Sequence, residues 1–103
     1  TDHPPVLHAP SRGLVAHQAF VSAHAIDQAF DVVDVSEDIA RTKRNLVRMA
    51  RRVVLVADSS KFDIGASSKA FSLSRVDLII TDSNMPHSIR HRLDKLGVEV
   101  RYA

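Results

Sequence analysis

Cysteine and tryptophan are absent from the 103 residues, glycine occurs three times and tyrosine once. Without a thiol there is no disulfide framework and no thiolate chemistry, which suits a reducing compartment such as the cytosol. No apolar run approaches the roughly 18 residues of a membrane-spanning helix, and the amino end has no signal-peptide core. A soluble cytoplasmic protein without membrane contact is therefore expected. Scarce glycine goes with the absence of GxGxxG, of a P-loop and of GxSxG, and no paired Ser/His/Asp arrangement is legible. These absences count against a nucleotide enzyme or a serine hydrolase, and no cofactor is indicated.

What is present describes a globular chain. Hydrophobic residues make up 45% and charged residues 25% of the sequence, as in ordinary folded domains. A chain of this size is one domain or a piece of one, burying roughly 65% of its unfolded surface. Fourteen Lys and Arg against twelve Asp and Glu leave a formal charge of +2, a small excess for a nucleic-acid surface.

The organising stretch runs from Ser36 to Phe62. Ser36 is a good N-cap, Glu37 and Asp38 complement the positive end of a helix dipole, and Arg48, Arg51 and Arg52 complement its negative end. A helix is predicted from Glu37 to about Arg51, followed almost without a loop by a strand, Val53 to Ala57. Asp58 then stands at the carboxyl end of a strand, where open α/β sheets keep their ligand crevices.

Two lysines stand out. At 100° per residue from Ile39, Ala50 falls at about 20°, Lys43 at about 40°, Val47 at about 80° and Leu46 at about 340°. Lys43 thus lies in the middle of the apolar face, where an ammonium is costly unless an anion meets it. That anion is either a ligand or a structural carboxylate; alternatively the side chain snorkels to water. Lys61 closes Asp58-Ser59-Ser60-Lys61. There a carboxylate can accept from sugar hydroxyls, while Ser60 and Lys61 can hold phosphate oxygens. The same four residues also read as a plain solvated turn.

Residues 1–13, with Pro4, Pro5 and Pro10, read as an irregular arm or linker. Leu14 to Ser22 is a predicted buried strand centred on Ala19, Phe20 and Val21, and His24 to Asp34 a loop with some strand character. Phe62 to Ser74 is a predicted covering loop, Val76 to Thr81 a second buried strand, Pro86 to Leu96 a helix stopped by Gly97, and Val98 to about Tyr102 a last strand. Strands separated by helices at these lengths argue for an α/β fold with a mostly parallel sheet, flanking helices and right-handed crossovers. Asp82 either lines the crevice of Asp58 or starts the Ser-Asn-Met-Pro turn. His87 and His91 are four apart on a helix but have no third ligand at a recognisable spacing, so no metal site is assigned. The arginine stripe of the first helix lacks aromatic interleaving and reads as a solvated face or a subunit contact.

The strings TKRNLVRMARRVVLVADSSKF, VDLIITD and LGVEV, with AFVSAHAID upstream, resemble the later part of the effector-sensing domain of DeoR-type transcriptional repressors. The resemblance implies a fold like that of ribose-phosphate isomerases and CoA transferases, used for sensing rather than catalysis. It implies that residues 14–103 are part of a domain that binds a phosphorylated sugar or related metabolite and thereby relieves repression. Lys43, Asp58, Ser60 and Lys61 would be effector contacts, with Asp27 a looser one. DNA would be met only through an amino-terminal winged helix-turn-helix that this sequence does not contain, as it also lacks the first half of the sensor. A homo-oligomer is implied too. The sequence departs from the family pattern at Ala23 and Ala25, at Phe30 to Val33, where a Gly-Thr pair is common, and at Ile39, where an acid is common; these departures bear on which effector fits. A sugar-phosphate isomerase of the same fold, and a degenerate sensor serving only oligomer contacts, are the competing readings.

Overall fold

Apolar residues in runs and in alternation set the strands, and two capped segments set the helices. The computed structural model describes residues 16–103. Its strands are β1 (Ala16–Ser22), β2 (Ala25–Ile26), β3 (Asp31–Asp34), β4 (Ala50–Val56), β5 (Ser68–Ser72), β6 (Leu78–Thr81) and β7 (Glu99–Tyr102). Helix α1 (Glu37–Met49) joins β3 to β4, α2 (His87–Leu96) joins β6 to β7, and single 3-10 turns lie at Ser59–Lys61 and Leu73–Arg75. The arm expected over residues 1–13 and the start of the strand expected from Leu14 lie outside the described residues.

The main sheet has the order β1-β4-β6-β7 and is parallel throughout. One register line crosses all of it, Val21 to Leu55 to Ile79 to Val100. Leu55 and Ile79 are fully buried, each contributing roughly 1.5–3 kcal/mol by burial. From the second helix, Ile89 and Leu93 join this core. Pro86 precedes the helix, and Gly97 ends it at φ 83°, a left-handed cap that glycine adopts without strain.

The first helix starts as its sequence dictates, with the Ser36 hydroxyl accepting the Ile39 N–H at 3.4 Å. It ends at Met49 rather than near Arg51, and β4 begins at Ala50. Its buried residues are Ala40 and Val47, whereas Ile39 is exposed. The buried face is thus centred near about 90° on the wheel that takes Ile39 as origin. Lys43 lies at the border of that face rather than at its middle.

Two expected loops turn out to be a second sheet, antiparallel, ordered β2-β3-β5. Its strands hid from periodicity because neighbours in sequence are both buried: Val32 with Val33, and Ala70 with Phe71. The register shifts between Val32 and Val33, as a bulge does, and that breaks the alternation by which a half-exposed strand is recognised. Phe20, expected at the centre of a buried strand, is 65% exposed, while its neighbours Ala19 and Val21 are buried. Side chains alternate across a strand, and this one falls on the uncovered face.

Phe30 adopts φ 60°, a left-handed conformation that a bulky residue rarely takes. Its ring packs edge-on against Phe62 with centroids 6.4 Å apart, and the Arg92 guanidinium lies 4.2 Å from its centroid. These contacts offset the backbone strain.

Candidate site at the carboxyl edge of the parallel sheet

β4 is central in its sheet, so the chain leaving it emerges at the carboxyl edge, and Asp58 is the second residue out. Its Oδ1 accepts the Ser60 N–H at 2.9 Å and also the Ser60 hydroxyl. The Lys61 N–H closes the turn onto the Asp58 carbonyl at 3.1 Å. Asp58 is exposed and Lys61 half-buried. Phe62, buried beneath the turn, bridges to Ile26 of β2, and the Ile64 N–H donates to the Ile26 carbonyl at 3.1 Å. A hydrogen-bonded turn thus places Asp58, Ser59, Ser60 and Lys61 together at the sheet edge.

Asp82, directly after β6, takes the turn-starting role read for it and also ties down the neighbouring loop. Oδ1 accepts the Asn84 N–H at 2.9 Å, starting its own turn, and Oδ2 accepts the Ser59 N–H at 2.9 Å, holding the neighbouring loop. These bonds to Ser59 and Asn84 stabilise the charged form and hold its carboxyl below the usual range. Beside it, the Thr81 hydroxyl is buried without a hydrogen-bond partner among the described residues.

Lys43 has a structural partner. Its Nζ lies 3.0 Å from Oδ2 of Asp34, the last residue of β3, with side chains 15% and 4% exposed. Asp34 Oδ1 accepts the Val35 N–H at 3.0 Å. Burial pushes the Asp34 carboxyl up, but the bond to the Lys43 ammonium, its charge, the Val35 N–H and the nearby His24 together hold it below the ordinary value. Lys43 also lines a groove of about 380 Å³ with Phe20, Ser22, Thr42 and Leu46. Since Ser22 pairs with Val56, two residues before Asp58, the Ser22 end of this groove is at the carboxyl edge of the sheet, although no residue of the Asp58–Lys61 turn lines it.

Asp27 holds its own turn, its Oδ1 accepting the N–H groups of Ala29 and Asp31 at 3.0 Å each. It lines a separate groove with Gln28, Asp63 and Gly65. Among the described residues the one side-chain to side-chain hydrogen bond or ion pair within the set Lys43, Asp58, Ser60, Lys61 and Asp27 is the Asp58–Ser60 contact. Sequence reasoning named a carboxylate for Lys43 only as an unspecified option. The signal that could have found Asp34 is a carboxylate ending a strand directly before the cap of the helix that carries the lysine.

A family model described as the DeoR C terminal sensor domain matches residues 8–83. The chain belongs to that family. A protein of Escherichia coli O157:H7 named for repression of the aga operon is 38% identical over 81 residues, covering 79% of this chain and 30% of that protein. The HTH-type transcriptional regulator GlpR of Haloferax volcanii is 36% identical over 81 residues, 79% of this chain and 32% of its own length. The glycerol-3-phosphate regulon repressor of Escherichia coli K12 is 36% identical over 64 residues, 62% of this chain and 25% of its own. The chain thus spans about a third of the length of the first two of these relatives. These sensor-domain relatives are named as regulators of transcription, and the α/β architecture with its parallel sheet fits the family. No helix among the described residues is long and apolar enough to cross a membrane.

Proposed function

We propose that this chain is the later part of the sensing domain of a cytoplasmic, homo-oligomeric repressor of carbohydrate metabolism, and that a phosphorylated sugar or related metabolite binds at the carboxyl edge of the parallel sheet and relieves repression. Asp58 accepts from sugar hydroxyls, Ser60 and Lys61 hold phosphate oxygens, Lys43 contributes a donor from the adjoining groove, and Asp27 lies at the periphery. DNA is met through a winged helix-turn-helix outside this sequence. The observation that carries the reading is the Asp58–Lys61 turn, ordered by its own hydrogen bonds and by Asp82 directly after β6. One relative's name, with its phosphorylated three-carbon polyol, supports the ligand class. The site binds without turnover, and its ligand biases the domain between two arrangements that the DNA-binding part detects.

Calorimetric titration with glycerol 3-phosphate, ribose 5-phosphate and fructose 6-phosphate, paired with an assay for isomer interconversion, tests this. Binding without interconversion is expected. Interconversion would replace the sensor with an isomerase, and no heat from any phosphorylated ligand would leave only a scaffold.

A further inference from the structure

The two lysines at the sheet edge differ electrically. Lys43 is neutralised by a nearly buried carboxylate at 3.0 Å. None of the ion pairs among the described residues includes Lys61. A cation without a counter-ion attracts a phosphate through net charge, whereas an ion pair has none to offer and acts as a fixed hydrogen-bonding group. We infer that the Asp34–Lys43 pair reads the uncharged, hydroxyl-bearing end of the effector, as a specificity determinant, while Lys61 supplies the charge that answers the phosphate.

The geometry supports this division. One N–H of the ammonium goes to Asp34, and no second acceptor among the described residues takes another. The groove beside it is lined by Ser22 and Thr42, by the acidic Asp38 and by the apolar Phe20, Ile39 and Leu46, a lining suited to a carbon chain with hydroxyls rather than to a phosphate. Asp34 is fixed in turn by the Val35 N–H, so the ammonium is held in one place rather than left on a flexible stem, which lowers the ordering cost of binding. A buried pair is seldom better for stability than an apolar pair of similar volume, so keeping one beside an open groove suits a recognition role.

The inference rests on the proposed sensing site, and the test separates the two. Dissociation constants for ribose 5-phosphate are measured against salt concentration for the chain, for Lys61→Ala and for Asp34→Leu/Lys43→Met, an apolar replacement expected to fold. The expected result is a shallower salt dependence in Lys61→Ala. In the double variant, affinity is expected to fall about tenfold, the loss of one to two hydrogen bonds, with the salt dependence unchanged. Asp34→Asn/Lys43→Gln, which keeps hydrogen bonding without charge, should stay within about threefold of the parent on the same scale. A shallower salt dependence in either double variant would make Lys43 a phosphate ligand, and unchanged affinity in the apolar variant would remove the pair from the site; either overturns the inference while leaving the sensing site standing. If the parent chain binds no phosphorylated ligand, the site and the inference fall together.

Discussion

The carboxylate of Asp82 accepts the N–H of Ser59 at 2.9 Å, so the loop that leaves β6 holds the loop that leaves β4. A turn that would otherwise depend on Asp58 alone is thereby tied to the neighbouring strand. Replacing Asp82 with Ala should loosen the Asp58–Lys61 turn and weaken a phosphorylated effector several-fold without removing any direct contact. Calorimetry with hydrogen exchange at Ser59 and Ser60 checks this. Affinity loss without faster exchange would mean that Asp82 touches the ligand itself.

Both Asp34 and Asp82 have carboxyl groups held below the ordinary range in the folded chain. A depressed folded value means that the unfolded chain binds protons first as the pH falls. The stability these groups confer is present above the unfolded carboxylate value of about 4 and is lost as the pH drops from there through the folded values. Urea midpoints are expected to be flat from neutral pH to about 5 and to fall steeply below 4. The Asp34→Asn variant should show a shallower acid-side decline.

Lys61 has the clearest consequence for binding. Removing a charge-assisted contact by Lys61→Ala should weaken a phosphorylated effector by roughly 1.5–3 kcal/mol. The unphosphorylated sugar should lose far less. An unchanged dissociation constant for the phosphorylated ligand would take Lys61 out of the site.

Phe30 sets strain against packing. Its backbone is left-handed at φ 60°, yet its side chain is only 7% exposed and touches Phe62 and Arg92. Phe30→Gly would relieve about 1–2 kcal/mol of backbone strain and forfeit about 3–5 kcal/mol of burial. Net destabilisation of about 1–4 kcal/mol is expected in urea unfolding, the difference between those two figures. A stabilised variant would show that the ring contributes little.

Much of the parallel half was legible in the sequence. Ser36, the early acids and Arg48 mark α1 because capping and dipole effects act within one turn, whereas Arg51 and Arg52, expected at its far end, lie in β4. Pro86 and Gly97 bracket α2 for similarly local reasons, and Asp58 falls at the sheet edge because β4 is an apolar run of known direction. The antiparallel sheet was not legible: Val32 and Val33 are both buried across a register shift, and Ser68–Ser72 carries two adjacent buried residues among serines.

The amino-acid sequence determined on its own what depends on near neighbours: the two helices, the start of the first and the stop of the second, the central strands, and the Asp58–Lys61 turn whose hydrogen bonds close within four residues. Tertiary structure alone decided which carboxylate meets Lys43, that Phe20 faces outward, and that Asp82 steadies Ser59 from 23 positions away. Those outcomes depend on strand order and on which face is covered, and no local periodicity specifies either one.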